Sequence, residues 1–111
     1  MQIDKMKKSY LKLQSILEEA ITHGADSIEL EYVAEGLEVT LMFGNSGLGS
    51  VLDDRRLAGE IIALIVERAR LHKRSRGVMD WAYGGKSYRI KIEEYENFGE
   101  SAFRLMLEKS K

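Results

Sequence analysis

Apolar residues first recur at three- and four-residue steps, at Ile3, Met6, Tyr10, Leu13, Ile16, Leu17, Ala20 and Ile21. That spacing predicts one helix with a single buried stripe. Asp4 suits its N-cap, and Gly24 suits the left-handed residue that ends a helix. The period then shortens to that of a strand. Ile28, Leu30 and Tyr32 alternate with Glu29 and Glu31, which predicts a strand with one wet face. Ala34-Glu35-Gly36 turns the chain, and Leu37, Val39, Leu41 and Phe43 return with Glu38 and Thr40 facing outward. Gly44-Asn45-Ser46-Gly47 is a turn-forming cluster, and residues 48–52 predict a short third strand.

The same layout then recurs. Asp53 or Asp54 caps a second helix with an inward stripe of Leu57, Ile61, Leu64, Ile65 and Leu71. The basic run from Arg68 to Arg76 ends it with cations, which suits the negative end of the helix dipole. Three strands follow over residues 78–83, 87–95 and 101–108. Gly84-Gly85 predicts a tight hairpin turn of the primed type, and Asn97-Phe98-Gly99 forms the next connection. Loops this short force antiparallel neighbours. The expectation is a single α+β domain over residues 1–111. Two helices pack on an antiparallel sheet of about five to six strands, in the order α-β-β-β-α-β-β-β. The repeated layout is a coarse pseudo-repeat with no repeat of sequence.

Length and composition narrow the class. A chain of 111 residues holds one two-layer core, and 44% hydrophobic with 32% charged residues fits a globular protein rather than a disordered one. The absence of cysteine removes disulfides, thiolate nucleophiles and zinc–cysteine sites. No apolar run approaches the ~18 residues of a membrane helix, and the N-terminus lacks a signal-peptide layout, so no membrane insertion and a cytoplasmic location are expected. The net charge of −1 hides an asymmetry. Residues 1–55 hold five Lys/Arg against ten Asp/Glu, and residues 56–111 hold twelve against eight. Opposite halves of this kind favour self-association or docking on a charged partner.

Candidate chemistry is sparse. Gly84-Gly85-Lys86-Ser87 contains the Gly-Lys-Ser of a phosphate loop, but Asp80 stands where that loop needs glycine. Tyr88, Ile90 and Ile92 continue it as a strand, so no helix dipole would point at a phosphate. His23 and His72 lack a second ligand at metal-binding spacing. Glu93, Glu94 and Glu96 read as acidic surface, since a general acid needs a carboxyl group withdrawn from water. There is no Gly-x-Ser-x-Gly elbow. No catalytic residue, metal or cofactor is therefore expected. Arg70, Lys73, Arg74 and Arg76 form a candidate basic patch, but without interleaved aromatics and at a pI near 6.1 nucleic acid is the disfavoured partner. Trp81, flanked by Met79 and Tyr83, lines one strand face, which Met106, Tyr88 and Phe103 join or oppose. Against helices these residues are core. On an open face, Trp81 and Tyr83 would anchor a partner.

Several stretches carry a resemblance. Ile16-Leu17-Glu18-Glu19-Ala20-Ile21 precedes Gly24-Ala25-Asp26-Ser27-Ile28-Glu29-Leu30-Glu31, which looks like Gly-Ala-Ser-Asp-Ile-His-Ile-Glu. Glu35-Gly36-Leu37-Glu38-Val39 looks like Asp-Gly-Leu-Arg-Val, and Gly85-Lys86-Ser87-Tyr88-Arg89-Ile90-Lys91-Ile92 looks like Gly-Arg followed by an alternating strand with an arginine. Gly99-Glu100-Ser101-Ala102-Phe103-Arg104-Leu105 looks like Gly-Glu-x-x-x-Arg-Leu. From about Ile16 to Leu107 the chain thus resembles the N-terminal domain that precedes the motor of type II secretion and type IV pilus assembly ATPases. The resemblance implies a fold similar to Per–Arnt–Sim sensors, docking on a hexameric motor, and arginines that help hold nucleotide. The chain departs from the pattern where its second strand should carry those arginines: Glu38, Thr40 and Met42 stand there, and Glu29 replaces a histidine. Only Lys91 and Arg104 keep basic positions, and the Walker motifs are absent. The resulting expectation is a non-catalytic interaction module that docks on a protein partner, such as a secretion or pilus motor component, or on a second copy of itself. A small-ligand or nucleotide sensor with a cleft near Lys91, Arg104 and Trp81 is the alternative, and a weak nucleic-acid binder using the basic patch is a second one.

Overall fold

In a computed structural model describing residues 7–108, the first apolar stripe is helix α1 (Lys8–His23), which buries Leu13, Ile16, Leu17 and Ala20. Lys7 occupies its N-cap; Ile3, Asp4 and Met6 lie outside the described residues. The helix ends at Gly24 with φ of 76°. The Gly24 N–H donates to the Ile21 carbonyl and the Ala25 N–H to that of Ala20, the paired bonds of a Schellman end. Ala25 is buried immediately afterwards. Asp26 then clamps the top of the sheet. Its N–H donates to Met42 at 2.8 Å, its carbonyl accepts from Leu107 at 3.1 Å, and its carboxylate accepts from the Gly44 N–H at 2.6 Å.

Strands β1 (Ser27–Val33), β2 (Gly36–Phe43) and β3 (Ser46–Leu52) form one meander. Helix α2 (Arg55–Ala69) follows, started by the Asp54 carboxylate accepting from the Leu57 N–H at 3.0 Å. Strands β4 (Arg76–Tyr83), β5 (Lys86–Asn97) and β6 (Glu100–Glu108) form the second meander. Antiparallel pairing of β1 with β6 joins the two into one sheet, in the order β3-β2-β1-β6-β5-β4. The expected α+β architecture is borne out, with six strands.

The inward face of α2 is Ala58, Ile61, Ile65 and Ala69. Leu57 and Leu64 flank this stripe, and Leu71 is buried from beyond the helix end. That end repeats the Schellman bonds of α1, from Arg70 to Glu67 and from Leu71 to Val66, but Arg70 replaces the glycine at φ of 56°. Gly77 allows the close approach that follows, since a Cβ there would stand 2.2 Å from the Ala69 carbonyl oxygen. α2 leaves one sheet edge, β3, and delivers the chain to the other, β4. A helix of 15 residues is about 22 Å long, close to the ~24 Å width of six paired strands.

Both helices contribute to one core with a single face of the sheet. Ile28, Leu30, Leu37, Val39, Leu41, Met79, Trp81, Ile90, Ile92, Phe103 and Leu105 line that face. The recurring helix-then-strands order is not a spatial repeat. Mapping the first meander onto the second keeps the strand order but reverses every strand direction, and only a rotation that turns the sheet over does this. Equivalent helices would then lie on opposite faces, whereas α1 and α2 share one. Among the described residues no helix is long and apolar enough to cross a membrane.

Candidate functional site

The four residues expected to share a surface are divided between the two faces. Trp81 alternates with Asp80 and Ala82 and points under the helices, where it is 3% exposed. Its ring stacks on Tyr10 of α1 with centroids 4.9 Å apart, and the Arg68 guanidinium of α2 lies 5.1 Å from the Trp81 centroid and 5.3 Å from that of Tyr10. Tyr83 lies on the same face, its hydroxyl 3.3 Å from that of Thr22. Tyr88 and Phe103 share this face, and Met106 the other. Trp81 and Tyr83 are therefore packing residues, and a partner cannot reach Trp81. Its indole Nε1 is buried and has no hydrogen-bond partner among the described residues.

Lys91 and Arg104 face the opposite way, each between buried neighbours that point to the core. A cleft combining them with Trp81 does not exist, because the sheet itself stands between. Both cations are also engaged. Lys91 pairs with Glu108 at 3.0 Å. Arg104 reaches Glu29 at 3.3 Å and Glu93 at 3.4 Å, and its guanidinium lies 5.1 Å from the Tyr95 centroid. Register places Thr40, Glu29, Arg104, Glu93 and Arg76 in one row across five strands, and Arg76 closes on Glu93 at 3.7 Å. Glu29 and Glu93 together occupy Arg104. Burial, followed by the charge of Glu29, pushes the Tyr95 hydroxyl above its ordinary pKa against the opposing pull of Arg104. Tyr32 is raised too, by burial and then by Glu100. An arginine clamped by two carboxylates has little capacity left for a phosphate.

The basic run is dispersed rather than gathered at a helix end. Arg68 lies over the aromatic pair, Arg70 is the left-handed cap, Lys73 and Arg74 lie in the following turn, and Arg76 has entered β4 and its ion pair. Leu71 is buried in the midst of them. Among the described residues no group of three His, Asp or Glu could hold a metal ion.

Two surface features were not legible beforehand. Phe98 is 99% exposed at the tip of the β5–β6 hairpin, with φ of 53°, followed by Gly99 at 83°. These are the central residues of a primed turn, where asparagine or glycine is the cheap choice and phenylalanine costs about 1–2 kcal/mol of backbone strain. The tip overhangs its neighbours. β4 pairs with β5 only as far as Glu93, and β1 with β6 only as far as Ala102. Glu94, Glu96 and Glu100 surround it, so the tip is acidic as well as apolar.

The second feature is β3. Every residue from Ser46 to Val51 is exposed, including Leu48 at 64% and Val51 at 45%. Among the described residues it pairs with β2 alone, which leaves the peptide groups of its outer edge unpaired there. The strand carries no charge and no proline, whereas the other edge, β4, carries Arg76 and Asp80. Between β3 and α1 runs a groove of about 190 Å³, floored by Ile16, Val39 and Leu41 and flanked by Lys12 and Glu19. Sequence patterning showed a strand here but not that it ended the sheet. No protein-family model matches the chain, and no curated protein matches it either.

Proposed function

We propose that this chain is a non-catalytic protein-interaction module, related to the N-terminal domains of secretion and pilus assembly ATPases and working in the cytoplasm. The observation that carries this reading is Phe98. The fold gains no burial from its ring and bears its backbone strain, so the use of that ring lies outside the fold. An overhanging, exposed aromatic is the kind of side chain that supplies much of the energy of a small interface. The surrounding glutamates select a partner whose apolar pocket is rimmed by cations. Engagement of Lys91 and Arg104 by carboxylates, and burial of Trp81, speak against the small-ligand reading.

Affinity capture with wild-type and Phe98→Asn chains as bait tests the proposal. The asparagine fits the turn better, so the variant is at least as stable. A partner retained by the wild type at low salt, lost in high salt and depleted at least tenfold by the variant supports the reading. Equal retention by both baits, or hydrolysis of ATP by the purified chain, overturns it.

A further inference from the structure

We propose that β3 is the seam of a symmetric dimer, in which two copies pair β3 with β3 in antiparallel fashion and extend the sheet across both molecules. This rests on the interaction-module reading but uses a surface separate from Phe98.

The hydrogen-bonding pattern sets the register. The two-residue turn Gly44-Asn45 makes Phe43 and Ser46 a bonded pair, and bonded and non-bonded pairs then alternate along the hairpin. Leu48 and Ser50 bond back to β2. The peptide groups of Gly47, Gly49 and Val51 point out from the edge. A two-fold axis at Gly49 sets Gly49 against its own copy and Gly47 against the second copy's Val51, so each outward residue exchanges both bonds with another outward residue. A shift of the axis to Leu48 or Ser50 would still set outward residues against one another, but it would pair only two of the three in each copy, carrying Val51 past the turn or Gly47 past the strand end.

Side chains agree with that register. Across the seam Leu52 meets the second copy's Ser46, Val51 meets Gly47, and Leu48 meets Ser50, so each bulky residue lies opposite a small one. No residue of β3 itself is charged. On the helix side the same axis exchanges the ends of the groove and turns Lys12 toward the second copy's Glu19, an ion pair that a foreign peptide would not automatically supply. On the open face each Glu38 carboxylate leans over Gly49, its Oε2 3.5 Å from where a Cβ there would stand, so the two copies' carboxylates flank the axis and the dimer is expected to tighten as salt screens them. This self-complementarity favours a second copy over an unrelated extended peptide.

Sedimentation across a concentration series, combined with amide hydrogen exchange, tests it. The expected result is a reversible shift from 12.6 kDa to twice that mass, with Gly47, Gly49 and Val51 amides protected only in the dimer. Gly49→Pro removes an outward N–H and leaves the bonds to β2 in place, and Leu48→Lys adds a guarding charge to an exposed position. Each is expected to weaken dimerisation at least 100-fold, and circular dichroism confirms that the chain stays folded. Phe98→Asn is expected to leave the dimer unchanged, so loss of partner capture and loss of the dimer are separate outcomes. A chain that stays at 12.6 kDa at every concentration overturns the proposal. So does a dimer whose Gly47, Gly49 and Val51 amides exchange freely, or one that both β3 variants leave intact. A monomer that takes up an extended peptide along β3 likewise overturns the seam, while leaving the interaction-module reading standing.

Discussion

Replacing Arg104 by methionine keeps the stem that lies across the open face and removes the cation between Glu29 and Glu93. Two half-buried carboxylates then face the same gap. The expected loss is about 1 kcal/mol in dilute buffer, shrinking in high salt, as read from urea midpoints at two ionic strengths. Trp81 predicts an unusual pair of outcomes. Trp81→Ala opens a cavity beneath two helices and is expected to cost about 3–5 kcal/mol. Trp81→Phe loses some packing but also deletes the orphaned indole donor, whose burial costs about 1–3 kcal/mol. It is therefore expected to remain within about 1 kcal/mol of wild type in urea unfolding. At this scale the sequence was only half informative. The alternation around Ile90, Ile92, Phe103 and Leu105 separates Lys91 and Arg104 from the core, yet the expected cleft grouped them with Trp81, which lies on the other face. Nor does alternation say which strands lie next to one another. The carboxylates that neutralise Arg104 come from β1 and β5, 75 and 11 residues away. Register across non-consecutive strands is not written in any local window.

Among the elements, the two helix ends form a natural comparison. Gly24 and Arg70 occupy the same place in the same bonding pattern, and only one of them is suited to positive φ. Arg70→Gly is expected to raise stability by about 1 kcal/mol, seen as a higher melting temperature with unchanged far-ultraviolet dichroism. Helix α1 was legible because its stripe and its stop signal agree. Helix α2 was placed well at its start by Asp54, but its inward stripe differs, since Ala58 and Ala69 hold the core where leucines were expected. Small residues there let the helix lie close to the sheet, and hydrophobicity alone does not register that advantage. The turns Gly84-Gly85 and Phe98-Gly99 both adopt primed geometry, as glycine content predicts for the first. Phenylalanine in the second contradicts its local preference. Such a contradiction is the mark of a residue selected for something other than the fold.

For the molecule as a whole, the opposite charges of the two chain halves are only partly expressed on the open face, where one meander is acidic and the other balanced. On the open face, Glu29, Glu31 and Glu38 make the β1–β3 side acidic, Glu29 being paired with Arg104 of β6. Arg76, Arg89, Lys91 and Arg104 lie on the β4–β6 side, interleaved with Asp80, Glu93, Glu100 and Glu108. Alkaline pH probes both faces of the sheet through two tyrosines, Tyr95 on the open face and Tyr32 on the helix side. Tyr32 and Tyr95 have folded pKa values above the ordinary 10.0, so the native state holds their protons more tightly than the unfolded chain does. Their contribution is fully present below about pH 10 and is lost as pH climbs through the raised values. Unfolding free energy is expected to fall with pH in that window, and Tyr95→Phe to flatten the slope, with tyrosinate absorbance reporting the titration.

Joining β1 to β6 has a temporal consequence. The sheet's midline is where an early segment of the polypeptide meets a late one, so the ribosome must release β6 before that midline can close. Until then β1 is itself a bare margin, and the nascent molecule offers two adhesive borders instead of one. Maturation of this protein is thus a race between internal closure and contact with neighbours.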